Sequence, residues 1–283
     1  MAPQRGAAAG ELEAAQVRSM FDGVAVVYDA LNSAMTAGLH HRWRERAVDL
    51  TGVGPGDRVL DVATGTGDLA LELAGRVALG GEVVGSDFSE GMLARAKEKA
   101  DRAARGGATG GASVRFEWGD ALALPYEESS FDVATVGFGA RNFSDLARGL
   151  SEMARVVRPG GKVMVLEFTT PRRPPLSLFY RLWFDRVVPL LGALVGGVGA
   201  LARLLPARRA RAAARDTRAR GGDERVGIAA AYSYLPNSVK RWPGPEALAA
   251  EMRRAGIEGV RCVLTAGGIV AIHVGTVAPD GPL

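Results

Sequence analysis

The sequence predicts an α/β protein with a doubly wound, seven-stranded, mostly parallel sheet. Two observations carry this prediction: short β-rich runs alternate with helical runs through the middle of the chain, and acidic residues follow several of these runs. Strands that alternate with helices of about 10–15 residues form βαβ units on a parallel sheet, with helices on both faces. Two β-rich runs close the chain and predict a C-terminal antiparallel hairpin.

The elements follow in order along the chain. Apolar residues at helical spacing over 11–50 predict N-terminal helices, which a Gly/Pro-rich break at 52–56 ends. The core strands are predicted at Arg58–Ala63, Glu82–Ser86, Ser113–Glu117, Phe131–Val136 and Lys162–Phe168, and the core helices at Asp68–Val77, Ser89–Ala104 and Leu146–Val157. The C-terminal elements are predicted to be a helix at Glu246–Ala255 and strands at Gly259–Leu264 and Ile269–Val277.

The composition predicts a globular protein, and we expect it to be cytoplasmic. The 283 residues are 47% hydrophobic with a formal net charge of only +4, which excludes disorder as the main state. Cys262 is the only cysteine, so no disulfide forms within the chain. No secretory signal is visible, and the apolar, uncharged stretch Val187–Ala202 is shorter than the ~20 residues of a membrane-spanning helix.

We expect the whole chain, 1–283, to be a single domain with four parts. The N-terminal helices of 11–50 would cover the site, and 51–170 would form the cofactor-binding core. Residues 171–245 would form a variable helical cap, and 246–278 would supply the last helix and the hairpin.

The basic charge is concentrated in one segment of the cap. Arg203–Arg225 holds eight arginines and three acids, a net charge of +5, so the remaining 260 residues sum to −1. The segment has no aromatic side chain to stack on bases, which argues against a nucleic-acid partner. A solvated insertion and a patch for anionic lipid head groups both remain open.

The candidate site begins at the end of the first predicted strand. Asp61 is followed by Thr64-Gly65-Thr66-Gly67, where glycines allow close approach of the backbone to a ligand and the next helix presents free N–H groups. A tight strand-to-helix turn would explain this segment equally well. Asp87 at the end of the second strand is placed to accept both hydroxyls of a ribose. Asp120–Ala121, after the third strand, suits the amino edge of an adenine.

The acidic residues discriminate between the possible nucleotide cofactors. A carboxylate at Asp61 would repel the pyrophosphate of a nicotinamide or flavin cofactor, whereas S-adenosylmethionine carries an ammonium group, a sulfonium and no phosphate. Asp61, Asp87 and Asp120 therefore favour S-adenosylmethionine. The rival classes are a nicotinamide-dependent dehydrogenase, which predicts an apolar residue at position 61, and a basic RNA-binding module, which predicts salt-dependent affinity through 203–225.

Motifs in the cofactor loop and outside it carry a resemblance to a known family. They are Phe21-Asp22 with Tyr28-Asp29 and Asn32, Val59 to Asp68, Phe138-Gly139-Ala140-Arg141-Asn142, Leu166-Glu167-Phe168 with Pro171, Tyr232 to Pro236 with Ser238, and Leu264 to His273. Together they resemble the menaquinone and ubiquinone biosynthesis C-methyltransferases, which are class I S-adenosylmethionine-dependent methyltransferases, over roughly residues 17–277.

The resemblance implies the reaction and its partners. The expected activity is C-methylation of a demethylmenaquinol, or of a ubiquinone precursor, whose isoprenoid tail lies in the membrane. Methyl transfer to another small lipophilic or phenolic substrate is the alternative. Thr66, Asp87 and the Asp120–Ala121 pair match residues that contact the cofactor in the family. Gly137 departs from the family, which often has serine there, and so does the insertion at 203–225.

Three residues are candidates for the chemistry. Arg141 would stabilise a phenolate that develops on the substrate, with a helix-capping or ion-pairing arginine as the alternative. Asn142 would orient Arg141. Tyr28 would close over the cofactor from the N-terminal helices or would simply pack. His273 is expected to be an ordinary buried sheet residue, and three histidines with one cysteine offer no metal-ligand spacing.

Overall fold

Helices and strands alternate in the computed structural model, which describes residues 18, 21–22, 29, 32–33, 36, 38–171, 174, 238–239 and 241–279. In chain order these residues form α1 (Leu39–Thr51), β1 (Arg58–Val62), α2 (Asp68–Val77), β2 (Glu82–Asp87), α3 (Glu90–Arg105), β3 (Ser113–Trp118), β4 (Phe131–Gly137), α4 (Leu146–Val156), β5 (Val157–Phe168), α5 (Pro245–Arg254), β6 (Ile257–Thr265) and β7 (Val270–Val277). One turn of 3₁₀ helix, Ala140–Asn142, follows β4, and another, Ala266–Gly268, joins β6 to β7.

Several earlier expectations lie wholly or mostly outside the described residues. These are Tyr28, the apolar stretch Val187–Ala202, the insertion Arg203–Arg225, the motif at 232–236, and most of the predicted cap and N-terminal helices.

The seven strands form one sheet in the order β3-β2-β1-β4-β5-β7-β6. The first five strands pair in parallel, and β7 pairs antiparallel with both β5 and β6. This is the doubly wound sheet with a closing hairpin that the sequence predicts. The chain reverses its direction of winding between β1 and β4, and ligands in such sheets bind in the crevice beyond the carboxyl ends of the strands.

Apolar side chains cover both faces of the sheet. On one face α1, α2 and α3 pack through residues such as Trp43, Leu73 and Leu93. On the other, α4 and α5 pack through Leu150 and Met252, which are fully buried. Among the described residues, no helix has the length and apolar character needed to cross a membrane.

Side chains cap the starts of two helices, α3 and α4. The Ser89 hydroxyl accepts a hydrogen bond from the Met92 N–H at 3.2 Å, and the Asp145 carboxylate accepts one from the Arg148 N–H at 2.9 Å. Each satisfies an N–H that has no partner within its helix. Because α3 begins just beyond β2, its capped end faces the carboxyl edge of the sheet.

The main difference from prediction is the start of β5. It begins at Val157, five residues before the expected Lys162, and Val157 pairs with Phe131 while Lys162 pairs with Val133. Residues 158–161 form a bulge in which Gly160 has φ of 79°. A Cβ on Gly161 would lie 2.5 Å from the Asp132 carbonyl oxygen, so only glycine fits against β4 there. The other described boundaries agree with the sequence to within two residues.

Candidate functional site

A cavity of about 320 Å³ opens at the carboxyl ends of β1 to β4. This volume is at the lower end of the range for small-molecule sites, and the position is the one expected for a doubly wound sheet. Its walls include backbone from Ala63, Gly65 and Gly139, the acids Asp87 and Asp120, and a set of aromatic and apolar side chains.

The loop after β1 has an unusual backbone. Ala63, Gly65 and Gly67 have φ angles of 50°, 57° and 82°. A Cβ built on Gly65 would meet no atom within 4 Å, and Gly65 itself lines the cavity. A Cβ on Gly67 would lie only 2.8 Å from the Phe116 ring, so the absence of a side chain at Gly67 lets the loop pack on β3. Gly65 therefore leaves space beside the loop, whereas Gly67 lets the loop pack closely on β3.

The loop after β4 meets the loop after β1. Phe138 has φ of 59°, and its N–H donates to the Leu166 carbonyl at 2.8 Å. A Cβ on Gly139 would lie 2.7 Å from the Ala63 Cβ, so the main chain of Gly139 packs directly against Ala63. Left-handed backbone at residues such as Ala63 and Phe138 costs about 1–3 kcal/mol each and is concentrated at functional sites.

Asp87 joins β2 to the loop after β1. Its Oδ2 accepts a hydrogen bond from the Gly65 N–H at 2.8 Å, and its Oδ1 accepts one from the Ser89 N–H at 2.9 Å. Burial raises the pKa of this carboxyl to about 6, although these backbone donors oppose the rise. The side chain also lines the cavity, where its remaining lone pairs can accept ligand hydroxyls.

Asp61 lies one layer below the cavity. Its carboxylate is 1% exposed and accepts hydrogen bonds from the hydroxyls of Thr64 at 2.7 Å and Thr135 at 2.8 Å. Burial raises its pKa to about 6. The carboxylate therefore holds the glycine-rich loop to β1 and β4, and it does not form part of the cavity wall. Its predicted direct contact with the cofactor stays a prediction.

Thr66 also points away from the cavity. Its hydroxyl donates to Asp29 Oδ1 at 2.6 Å and accepts from Lys99 Nζ at 3.2 Å. Asp29 comes from the N-terminal segment, so the glycine-rich loop is fastened to a part of the chain 37 residues earlier.

The Asp120–Ala121 pair follows β3 and lines the cavity as the sequence predicts. The Asp120 carboxylate accepts the Leu122 N–H at 2.9 Å, which fixes the turn. Beside it, Trp118 is 53% exposed and its indole N–H donates to the Phe88 carbonyl at 3.2 Å. Phe88 and Trp118 make this end of the cavity apolar.

The N-terminal segment forms another part of the wall. Arg18 and Phe21 line the cavity, and Asp22 accepts hydrogen bonds from the Ser89 hydroxyl at 2.5 Å and the Gly91 N–H at 3.1 Å. The expected covering role of this segment stays a prediction.

Arg141 is buried behind the cavity wall. Its guanidinium pairs with the Glu167 carboxylate at 2.7 Å and donates to the Phe138 carbonyl. The side chains of Arg141 and Glu167 are only 6% and 1% exposed. Within the described part of the chain, Nε of Arg141 has no hydrogen-bond partner. The neighbouring Asn142 does line the cavity.

The cavity residues suit S-adenosylmethionine. Carboxylates at Asp87 and Asp120 match its hydroxyl, amino and cationic groups, and the apolar end at Phe88 and Trp118 matches a purine ring. Gly65 leaves room for close approach of a ligand to the loop. Arg18 is the only basic residue among the described ones that line the cavity, which disfavours a pyrophosphate there.

The remaining candidates lie elsewhere. His273 is fully buried in β7, where its Nε2 lies 2.9 Å from the Pro245 carbonyl, and burial lowers its pKa. Cys262 is exposed, and its pKa is raised by partial burial and by Glu246. In the described ranges, no group of three His, Cys, Asp or Glu side chains is arranged to hold a metal ion.

Sequence reasoning gave no role to several residues in and around the site, among them Trp118, Lys99 and Glu167. Trp118 belongs to no recognised motif. Lys99 lies in a helix, where a charged residue is ordinarily solvated. Glu167 belonged to a quoted motif but was given no role. A signal for Glu167 did exist, since a carboxylate in the middle of a buried apolar strand needs a partner.

The family comparison matches most of the chain. The model of the ubiE/COQ5 methyltransferase family matches residues 9–198 and 227–277. The interruption between these two ranges contains the Arg-rich insertion.

Individual relatives align with this chain over nearly the whole of their own length. A demethylmenaquinone methyltransferase of Thermus thermophilus is 44% identical over 90% of this chain and 99% of its own. A ubiquinone/menaquinone biosynthesis C-methyltransferase of Geobacter is 34% identical over 92% and 96%. Among solved structures, a SAM-dependent methyltransferase from Aquifex aeolicus covers 83% of this chain and 89% of its own at 16% identity, with a TM-score of 0.52.

Replacing Asp87 should weaken cofactor binding. Asp87→Ala removes the acceptor for two backbone N–H groups and a carboxylate that lines the cavity. We expect S-adenosylmethionine binding, measured by calorimetry, to weaken by about 1.5–3 kcal/mol. Asp101→Ala removes an exposed acid from α3 and should leave the affinity unchanged. Wild-type affinity in a folded Asp87→Ala protein would contradict the role of this strand end.

Cofactor affinity should also rise with pH. Burial raises the pKa values of Asp61 and Asp87 to about 6. Ionisation of these carboxyls in the folded state therefore lowers the free energy of unfolding, and the ligand-free protein loses stability as pH rises through 6. A cationic ligand favours the ionised forms, so affinity should increase between about pH 5 and pH 7. Calorimetry should show a smaller pH dependence for Asp87→Asn, and equal slopes for the two proteins would be inconsistent with ionisation of Asp87.

Proposed function

The chain belongs to the ubiE/COQ5 methyltransferase family, and we propose that it methylates a ring carbon of a demethylmenaquinol with S-adenosylmethionine as methyl donor. The observation that carries the choice of substrate is the 44% identity to a demethylmenaquinone methyltransferase over 99% of that protein. The demethylmenaquinone enzyme of Deinococcus radiodurans, at 41% identity, supports the same choice. A lipophilic substrate of another class has no comparable support.

The cofactor would lie in the cavity at the carboxyl ends of the strands. We assign the hydroxyls of the cofactor to Asp87. We place its purine ring beside Asp120, Ala121 and Trp118, and we expect the cofactor to approach the backbone of Gly65 closely. Asp61, Thr66 and Gly67 would act through the shape of the loop. When bound, S-adenosylmethionine supplies an electrophilic methyl group.

The substrate carbon requires activation by its own ring oxygen. Carbon is a weak nucleophile, and loss of a proton from an adjacent hydroxyl raises the electron density on it. The protein has to hold this ring in near-attack geometry, exclude water and favour the phenolate. Phe143 and Asn142 belong to the part of the cavity wall that follows β4, so we place the ring there.

Arg141 is the candidate for favouring the phenolate. Its charge is held in place by Glu167, and its Nε–H is a donor without a hydrogen-bond partner in the described part of the molecule. Asn142, the next residue, would orient Arg141, and Tyr28 would close the site from the N-terminal segment. Glu167 is thus a positioning residue for Arg141.

Product analysis tests the proposed reaction. The protein is incubated with methyl-labelled S-adenosylmethionine and a short-chain demethylmenaquinol, and the quinone product is identified by mass spectrometry. Transfer of the label to a ring carbon supports the proposal. Labelling of a ring oxygen instead, or no labelling with a folded enzyme that binds the cofactor, would overturn it. A parallel reaction with a ubiquinone precursor compares the two quinone classes.

Loss of Arg141 should affect turnover more than cofactor binding. Arg141→Ala should lower kcat by ~10²–10³, the range for loss of one electrostatic stabiliser, with cofactor affinity nearly unchanged.

Arg141→Ala leaves the Glu167 carboxylate buried and unpaired, and it therefore also destabilises the fold. The double variant Arg141→Met/Glu167→Gln removes both charges and serves as a folded comparison. A wild-type kcat in the double variant would show that the pair is purely structural.

We further propose a peripheral membrane contact through the cap. Support comes from the sequence alone: Val187–Ala202 is apolar but too short to span, and the +5 segment 203–225 follows it directly. Basic residues near an anionic surface contribute about 1 kcal/mol each. Arg208, Arg209 and Arg211 would face the head groups, which would bring the enzyme to a substrate with an isoprenoid tail.

Vesicle sedimentation tests the membrane contact. Binding should increase with the fraction of anionic lipid, fall with added salt, and drop when residues 207–222 are replaced by a Gly/Ser linker. A linker variant that partitions like the parent at every salt concentration would rule out this contact.

A further inference from the structure

Three charged side chains of α4 hold the loop that follows β3. Arg148, Glu152 and Arg155 lie at positions i, i+4 and i+7, so they share one face of the helix. We call these three residues the α4 clamp. The loop that they contact runs over residues 119–126, and its first part, 119–122, lines the cavity. The clamp therefore holds a segment that forms part of the cavity wall.

The buried half of the clamp bonds to the main chain of the loop. Glu152 Oε2 accepts a hydrogen bond from the Leu124 N–H at 2.9 Å. The Arg155 guanidinium donates to the Leu124 carbonyl at 3.0 Å and to the Tyr126 carbonyl at 2.8 Å. Both main-chain polar groups of Leu124 are therefore bonded to side chains of one helix.

Arg148 is the exposed member of the clamp. Its Nε donates to the Leu122 carbonyl at 3.0 Å, and its guanidinium lies 3.4 Å from the Glu152 carboxylate. The Arg148 side chain is 57% exposed, whereas that of Glu152 is 7% exposed. The contact with Leu122 is therefore the weaker, more hydrated end of the clamp, and Glu152 is its buried centre.

Glu152 is held in its ionised form. Its carboxylate accepts hydrogen bonds from Arg155 Nε at 3.0 Å and from Nη2 at 2.8 Å, a two-point pairing that fixes the direction of the guanidinium. These bonds hold the pKa of Glu152 below its ordinary value, although burial opposes them. Because a charged acceptor forms a stronger hydrogen bond than a neutral one, the carboxylate also strengthens the hold on the Leu124 N–H.

The clamped loop sets the direction of Asp120. Asp120 Oδ1 accepts the Leu122 N–H at 2.9 Å, and the Asp120 carbonyl accepts the Ala123 N–H at 3.0 Å. A Cβ on Gly119 would lie 2.3 Å from the Ser86 hydroxyl oxygen, so the start of the loop packs tightly on β2. Because Asp120 lines the cavity, its Oδ2 can accept a hydrogen bond from a ligand there.

We propose that Glu152 is a positioning residue for adenine recognition, because it fixes the loop that directs the Asp120 carboxylate at the amino group of the purine. This inference rests on the proposed function, in which the purine of S-adenosylmethionine lies beside Asp120. The amino group donates to a carboxylate, whereas an oxo group at the same purine position repels it. The clamp residues do not form part of the cavity wall, so Glu152 acts on the ligand through the loop.

Two ligands that differ at one purine position provide the test. S-adenosylhomocysteine carries the amino group, and S-inosylhomocysteine carries an oxo group in its place. We expect the wild-type protein to bind S-adenosylhomocysteine about 10- to 100-fold more tightly in calorimetry, the range for one hydrogen bond to a charged group. Asp120→Ala should abolish most of this preference.

Replacing clamp residues should reduce the preference for the amino group. In Glu152→Gln the amide can still accept the Leu124 N–H, but the two-point pairing with Arg155 is lost. We expect the preference to fall roughly 3- to 10-fold, as for other residues that act on a ligand without touching it. Arg148→Ala frees the exposed end of the clamp with little effect on the core, and it should lower the preference by a smaller factor.

Glu251→Gln is the matched control. Glu251 pairs with Arg254 at i, i+3 on α5, the same spacing as Glu152 and Arg155, and it does not line the cavity. The control variant should keep the wild-type preference between the two ligands.

The outcomes separate the inference from the proposed function. A wild-type preference in folded Glu152→Gln and Arg148→Ala would overturn the inference, and so would equal weakening of both ligands in Glu152→Gln. If Glu152→Gln does not fold, Arg148→Ala decides. If the wild-type protein binds both ligands equally well, the inference fails while the cofactor site stands. If it binds neither ligand, the proposed function fails as well.

Discussion

The carboxylate of Asp87 forms a junction on which the geometry of the cavity depends. One oxygen holds the Gly65 N–H and the other the Ser89 N–H, so one side chain joins the end of β2 to the glycine-rich loop and to the capped start of α3. The junction is buried, and hydrogen bonds to a charged group are stronger in such surroundings than in water. Ser89 then carries the connection to Asp22 of the N-terminal segment.

Most of the fold within the described residues could be predicted from the sequence because local patterns and burial agree. The helix at Asp68–Val77 has the predicted bounds, and Ser89 caps its helix as its side chain and position indicate. The early start of β5 could not be predicted, because Arg158-Pro159-Gly160-Gly161 has the composition of a turn. Its pairing with β4 is possible only because Gly161 fits against the Asp132 carbonyl, a tertiary contact that leaves no local periodicity.

The candidate site was predictable where a residue's role follows from its place at a strand end. Asp87 and Asp120 do meet at the cavity, because parallel strands end at one edge of the sheet. The partners of polar side chains were not predictable. Thr66 donates to Asp29, and Arg141 pairs with Glu167, because chain segments far apart in sequence meet there. Such pairs follow from the packing of the chain and not from spacing along it.

A crystal structure of the protein grown with S-adenosylhomocysteine would test the central claim most directly, namely that the Asp87 junction shapes a cofactor site. The account predicts the ligand in the cavity, its ribose hydroxyls bound to Asp87, its purine beside Asp120 and Trp118, and the hydrogen bond from Gly65 to Asp87 intact. A ligand bound elsewhere on the molecule, or one bound in the cavity with Asp87 turned away from it, would contradict the account.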